Sequence, residues 1–284
     1  MLNKNVETFI GCDAEYADAD TVLFGAPFDS TTSFRPGARF GCKAIRAESF
    51  GLETYSPYLD RDLTELSVFD SGDLELCFGD TRVALDQIGA RTETVLADCK
   101  MPFMIGGEHL VTLGAVEKVF ARYPELHMLH FDAHTDLRDS YLGTPLSHAA
   151  VIRRCYDLLG DGRIYQFGIR SGEREEFAFG RAHTGLHAFN LDGLAETVKA
   201  LRDKPVYVTL DLDILDPSVF GGTGTPEAGG ISFTELLSGI YALADLHIVG
   251  CDVCELAPAY DPSGVSTAVA GKIVREMLLT FNRK

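Results

Sequence analysis

Short apolar runs alternate with amphipathic segments along most of the chain. Eight runs have the length and residue content of strands, at residues 21–25, 66–70, 102–105, 126–131, 163–168, 186–189, 206–211 and 246–253. Helical periodicity occupies residues 80–97, 109–122, 147–158, 194–201 and 233–243, and it returns near the C terminus at Ile273, Val274, Met277, Leu278 and Phe281. This alternation predicts an α/β protein, a three-layer α/β/α sandwich with a mainly parallel sheet.

The hydrophobic content is sufficient for a substantial core, since 46% of the 284 residues are hydrophobic. No linker, charge block or internal repeat divides the chain, so we expect one domain over residues 1–284. The seven scattered cysteines suggest reduced thiols, and residues 1–20 lack the pattern of a signal peptide or membrane span. We therefore expect a cytoplasmic protein.

The formal net charge of −17 disfavours nucleic acid and anionic membranes as partners. Such a charge would suit a small cationic substrate. It is equally compatible with an acidic surface that only keeps the protein in solution.

Residues 126–136 combine a buried strand pattern with metal-type side chains. An apolar run leads into Asp132, His134 and Asp136, which occupy alternate positions. If the extended conformation continued past Phe131, all three side chains would project to one side of the strand. Open parallel sheets bind their ligands at this carboxyl end of the strands.

Two further segments supply partners for these side chains. Asp211 and Asp213 follow the run at residues 206–210, and His109 follows a strand that ends in two glycines, which we expect to allow a sharp turn. The candidate metal ligands are therefore His109, Asp132, His134, Asp136, Asp211 and Asp213.

Four carboxylates in one place repel each other unless cations neutralise them, and two divalent ions carry the matching charge. A set of carboxylates with some imidazole favours Mn²⁺, although other divalent ions fit as well. Two ions roughly 3.5–4 Å apart can activate a bridging water as a nucleophile. We expect two Mn²⁺ per chain.

Three motifs resemble the signatures of the ureohydrolases, the arginase and agmatinase family, and look most like those of bacterial agmatinases. They are GGEH at residues 106–109, FDAHTD at 131–136 and DLDILDP at 211–217. The similarity extends to SFRPGARFGCKAIR at residues 33–46, GTGTPEAGG at 222–230 and ELAPAYD at 255–261.

This resemblance implies that the six candidate ligands bind two Mn²⁺ in an eight-stranded arginase-like sandwich, which usually forms homo-oligomers, as trimers or hexamers. It further implies that Glu255 binds a guanidinium group, that Thr225 hydrogen-bonds within the site, and that His148 contacts substrate and carries protons at the cleft mouth. Asp136 would both bind metal and hydrogen-bond the attacking hydroxide.

Residues 137–143 bear on the substrate. Arginases hold an α-carboxylate with an asparagine- and serine-containing loop after this metal motif, and the sequence LRDSYLG lacks it. The expected reaction is hydrolysis of agmatine to putrescine and urea, a step of polyamine biosynthesis. N1-aminopropylagmatine remains an alternative, as do arginine and other guanidino acids. A single-zinc deacetylase-like amidohydrolase and a non-catalytic oligomeric binding protein are alternatives from other classes.

Three further positions have simple structural interpretations. Cys251 and Cys254 are three residues apart on a predicted strand, so they should face opposite sides and pack in the core. His130 shares its strand face with Asp132 and could support it. Gly221 stands where related agmatinases commonly have proline, which should loosen the following loop.

Overall fold

The computed structural model describes residues 7–282. Within these residues the strands are β1 (Thr21–Ala26), β2 (Tyr55–Ser56), β3 (Arg61–Asp62), β4 (Val68–Asp73), β5 (Met101–Gly106), β6 (His127–Phe131), β7 (Ile164–Ile169), β8 (Gly185–Ala188), β9 (Pro205–Asp211) and β10 (His247–Cys254). The α-helices are α1 (Gly41–Ser49), α2 (Thr81–Ala97), α3 (Val111–Arg122), α4 (Val151–Leu159), α5 (Arg174–His183), α6 (Leu194–Leu201), α7 (Phe233–Ala242) and α8 (Val265–Phe281).

Eight strands form one parallel sheet in the order β4-β1-β5-β10-β9-β6-β7-β8. All eight predicted strands are present, with ends that differ by at most three residues. Strands β2 and β3 form a separate antiparallel hairpin that the sequence did not predict.

Helices cover both faces of the sheet, which confirms the three-layer sandwich. The apolar sides of α1, α6, α7 and α8 pack on one face, and those of α2, α3 and α4 pack on the other. The described residues include no helix with the length and apolar composition needed to cross a lipid bilayer.

The sequence did not predict α1 and α5, because the apolar periodicity of these two helices is weak. Helix α5 buries only Glu176 and Gly180, so it lacks an apolar stripe. A reciprocal capping box between Glu173 and Glu176 marks its start instead. Helix α1 buries Cys42 and Ile45, but it also buries Gly41, Arg46 and Ser49, so its apolar stripe is short.

Candidate functional site

The candidate ligands and Glu255 gather at the carboxyl ends of the four central strands. His109 follows β5, Glu255 follows β10, Asp211 ends β9, and Asp132 follows β6. Because these strands are neighbours in the parallel sheet, side chains distant in sequence meet at one edge.

The segment after β6 reaches this arrangement by a turn and not by strand periodicity. Strand β6 stops at Phe131, and the Asp132 Oδ1 atom accepts a hydrogen bond of 2.5 Å from the backbone N–H of His134. Asp136 has a φ of +51°, a left-handed conformation that is uncommon outside glycine. The extended conformation therefore does not continue from Phe131 to Asp136, although the side chains of Asp132, His134 and Asp136 do lie close together.

The ends of β9 and β5 also differ from their sequence interpretation. A short 3-10 turn begins directly after Asp211, whose side chain accepts a 2.8 Å hydrogen bond from the Asp213 N–H. Gly107 serves close packing and not a special turn, since a Cβ atom there would lie 2.1 Å from the Phe28 carbonyl oxygen.

Two groups of metal-type side chains share Asp132. In the first group, His109 Nδ1 lies 3.1 Å from an Asp132 oxygen, 3.2 Å from an Asp136 oxygen and 3.4 Å from an Asp211 oxygen. In the second group, His134 Nδ1 lies 3.0 Å from Asp213 and 3.5 Å from Asp132. A carboxylate shared by two groups can bridge two ions.

The hydrogen bonding of His109 indicates that this cluster suits cations. The Thr209 hydroxyl donates to Asp252 at 2.6 Å, so its oxygen is left to accept from His109 Nε2–H at 2.8 Å. In its neutral form, a ring held in this way would point the Nδ1 lone pair at the three carboxylates. This buried nitrogen has no hydrogen-bond partner among the described residues, as expected of a metal ligand.

Electrostatics supports the same conclusion. Burial, followed by the charges of Asp213 and Asp132, raises the pKa of Asp211 well above its usual value. The protein therefore holds acidic groups together at a cost that divalent ions would offset. The buried His/Asp cluster fits a dinuclear divalent metal site.

His130 lies near the first group, but its nitrogens are engaged elsewhere. Its Nε2 atom is 2.8 Å from Asp132, and the Gln166 side-chain amide donates to its Nδ1 at 3.1 Å. With Nδ1 accepting, Nε2 carries the proton and donates to Asp132. His130 thus orients a candidate ligand and has no free lone pair for an ion.

Glu255 lies beside the cluster in a strained backbone conformation, with a φ of +70°. It is 6% exposed, and its Oε1 atom accepts a 2.8 Å hydrogen bond from the His109 N–H. Burial, then the charge of Glu108, raises the pKa of Glu255 to about 8. This buried carboxylate would gain from a cationic partner.

Glu108 is a buried acid that the sequence analysis did not single out. Burial raises its pKa to about 7, while hydrogen bonds from Thr31 and Thr32 oppose that shift. The GGEH motif predicted His109 as a metal ligand, and only the fold reveals that the neighbouring Glu108 carboxylate is fully buried.

His148 and Thr225 lie at the edges of the cluster. Thr225 Oγ1 is 3.4 Å from the Asp213 Oδ2 atom and can donate to it. His148 lines a cavity of about 250 Å³ together with His134, Asp136 and Tyr141. Burial lowers the pKa of His148, although the charge of Asp136 opposes that shift.

Cys251 and Cys254 lie in the core as expected. Cys251 belongs to the apolar cluster on one face of the sheet and Cys254 to the cluster on the other. No disulfide links any of the seven cysteines, all of which fall within residues 7–282.

Comparisons with known proteins agree with this geometry. A model of the arginase family matches residues 19–280. The chain is 46% identical to a Bacillus subtilis (strain 168) protein named agmatinase, over 97% of this chain and 96% of the relative. It is 41% identical to the N(1)-aminopropylagmatine ureohydrolase of Thermococcus kodakarensis, over 87% and 86% of the two chains.

A solved structure of a putative agmatinase from Clostridium difficile superposes with a TM-score of 0.92 at 48% identity, and the match covers 94% of this chain and 98% of the other. Sequence family, fold and the buried His/Asp cluster thus agree. The chain belongs to the arginase family and is a ureohydrolase.

Proposed function

We propose that this protein hydrolyses the guanidino group of agmatine to putrescine and urea with two Mn²⁺ per chain. The observation that carries the proposal is the buried Glu255 carboxylate next to the shared His/Asp cluster. A guanidinium group presents parallel N–H donors that a carboxylate accepts in pairs, and its charge offsets the cost of burying Glu255.

The six candidate ligands, His109, Asp132, His134, Asp136, Asp211 and Asp213, would hold the ions. When bound, the ions supply Lewis acidity that makes water nucleophilic near neutral pH. Glu255 orients the guanidinium carbon toward the cluster, and Thr225 steadies Asp213. Asp136 accepts the proton of the attacking water and returns it to the departing amine, and His148 at the cavity wall carries this proton between them.

The cavity wall supports a substrate without a carboxylate. Among the described residues that line it, Arg138 carries the one permanent positive charge, against the carboxylates of Asp136, Glu173 and Glu176. Arg138 is itself paired with Glu173 at 2.9 Å and with Glu176 at 3.5 Å. Its charge is therefore already neutralised, and an α-carboxylate would find no free cation here.

N1-aminopropylagmatine is the second candidate, because a relative at 41% identity is named for that activity. The two substrates share the guanidino end and differ in the amine that leaves the cavity.

Urea release with Mn²⁺ from agmatine, aminopropylagmatine, arginine and guanidinobutyrate is the test. We expect the highest kcat/KM for agmatine. A higher value for aminopropylagmatine would reassign the substrate, and no release from any compound would contradict hydrolysis. A metal count of one tight zinc per chain would favour the deacetylase-like mechanism.

Asp132→Asn tests the metal assignment, because Asp132 belongs to both ligand groups. We expect at least one ion per chain to be lost and turnover to fall by about 10²-fold or more, with little change in the circular dichroism spectrum. Asp86→Asn, at an exposed site on α2, is the matched control. Full activity and metal content in Asp132→Asn would exclude this residue as a ligand.

A further inference from the structure

The loop at residues 27–40 connects β1 to α1 and reaches over the site from the strand next to β5. Two of its side chains, Thr31 and Ser33, lie against His148. What holds the loop in place therefore also determines the surroundings of His148.

Glu108 anchors this loop at Thr31 and Thr32. Its carboxylate accepts a 2.9 Å hydrogen bond from the Thr31 N–H, one from the Thr31 hydroxyl, and one of 3.1 Å from the Thr32 hydroxyl. Glu108 has no solvent-exposed surface. A buried carboxylate with three donors from two adjacent residues fixes those residues firmly, because each lost bond would leave an unsatisfied acceptor.

Thr31, which Glu108 fixes in place, contacts His148 in turn. Its hydroxyl proton is committed to Glu108, so the oxygen is free only to accept. It accepts a 3.0 Å hydrogen bond from the His148 backbone N–H and lies 3.4 Å from His148 Nδ1. The ring is also confined by Tyr141, which packs edge-on at 5.9 Å between ring centroids.

We propose that Glu108, acting through the Thr31 hydroxyl, is a positioning residue that fixes the backbone and ring of His148 for proton transfer. An accepting Thr31 oxygen favours the tautomer with the proton on Nδ1, and Ser147 Oγ, 3.4 Å from the same nitrogen, can accept as well. Nε2, which lies 3.5 Å from Ser33 Oγ at the cavity, is then the nitrogen that exchanges protons. This inference rests on the proposed role of His148.

The test compares Thr31→Val, which keeps the shape but removes the hydroxyl, with Thr31→Ser, which keeps it. We expect Thr31→Val to lower kcat roughly tenfold with little change in KM, and Thr31→Ser to restore most of the loss. Thr94→Val, at an exposed position of α2, is the matched control. Equal kcat in Thr31→Val and the wild type would overturn the proposal.

A double-mutant cycle separates positioning from a general structural role. In a His148→Asn background, Thr31→Val should have no further effect on kcat, because its action runs through the missing ring. An additive loss would contradict the proposal. If His148→Asn alone retains full kcat, the proposed proton transfer by His148 fails and the positioning proposal fails with it.

A structural measurement keeps the inference testable even if agmatine is not the substrate. Crystal structures of Thr31→Val and Glu108→Gln are compared with that of the wild type. In both variants the His148 ring should be rotated from its wild-type position or occupy two conformers. An unchanged ring position in Thr31→Val would overturn the proposal. If the wild type turns over none of the guanidino compounds and the ring still moves, the proposed function has failed while the positioning role stands.

Discussion

Three residues of the site are each oriented by a neighbouring side chain. Thr209 holds the ring of His109, His130 holds Asp132, and Thr31 contacts His148. Each neighbour fixes which atom of its partner is free to face the site, and this sets the geometry before any ligand arrives.

His130→Phe should weaken metal binding without removing a ligand. The change keeps the ring volume but deletes the 2.8 Å hydrogen bond to Asp132. We expect a loss of about 10- to 100-fold in metal affinity, measured by calorimetric titration with Mn²⁺. His127→Phe, at the other end of the same strand, should bind like the wild type. Unchanged affinity in His130→Phe would show that Asp132 needs no support from this ring.

At the scale of elements, the loops that follow the strands carry the site, and helix starts anchor those loops. The Ser266 hydroxyl near the start of α8 accepts a 2.9 Å hydrogen bond from the Gly222 N–H and donates to Asp261 at 2.6 Å. The loop that carries Thr225 is thereby tied to α8. This attachment limits the looseness that Gly221 was expected to cause.

Gly221→Ala should stabilise the protein. A Cβ atom at this position would meet only the Pro217 carbonyl oxygen, at an ordinary distance of 3.5 Å. Because alanine reduces the freedom of the unfolded chain, we expect the free energy of unfolding to rise by about 0.4–1 kcal/mol in denaturant titrations. A lower value would mean that the loop requires a conformation open only to glycine.

Asp261→Asn should remove a pH-dependent contribution to stability. Hydrogen bonds from the Ser263 and Ser266 side chains lower the pKa of Asp261 to about 2, below the value of about 3.9 in unfolded chains. Its contribution is therefore present above pH ~4 and is lost as the pH falls toward 2.

The difference in unfolding free energy between wild type and Asp261→Asn should shrink over this acidic range. Denaturant titrations at several pH values measure it, with Asp203→Asn at an exposed position as the control. A difference that stays constant down to pH 2 would contradict the assignment.

At the scale of the molecule, the acidic cluster lies where the four central strands end. Its mutually repelling carboxylates come from the last residue of β9 and from the segments that follow β6 and β9, so they oppose the close approach of those strand ends. Bound ions would replace that repulsion with shared coordination. Metal binding and global stability should therefore be coupled.

Removal of metal should destabilise the whole protein. At an Mn²⁺ concentration of about 100 times the dissociation constant, the free energy of unfolding should rise by about 2.7 kcal/mol per site over the chelated protein. Thermal unfolding with and without chelator measures this difference. An unfolding temperature that does not respond to Mn²⁺ would argue against a site in the native state.

The sequence by itself determined the class of fold and the residues available to the site. Strand and helix periodicities depend on local burial, so they predicted the eight strands of the sandwich and most of its helices. The motifs supplied His109, Asp132 and Asp211 at strand ends, and parallel pairing brings such ends together.

Only the tertiary structure decided how these residues meet. Strand periodicity could not reveal the turn that gives Asp136 its positive φ, because that conformation depends on contacts beyond the strand. The roles of Glu108 and Thr31 likewise arise from hydrogen bonds between residues 77 positions apart. Local patterns encode which face is buried, whereas the partners of a buried polar group are set by how distant segments pack.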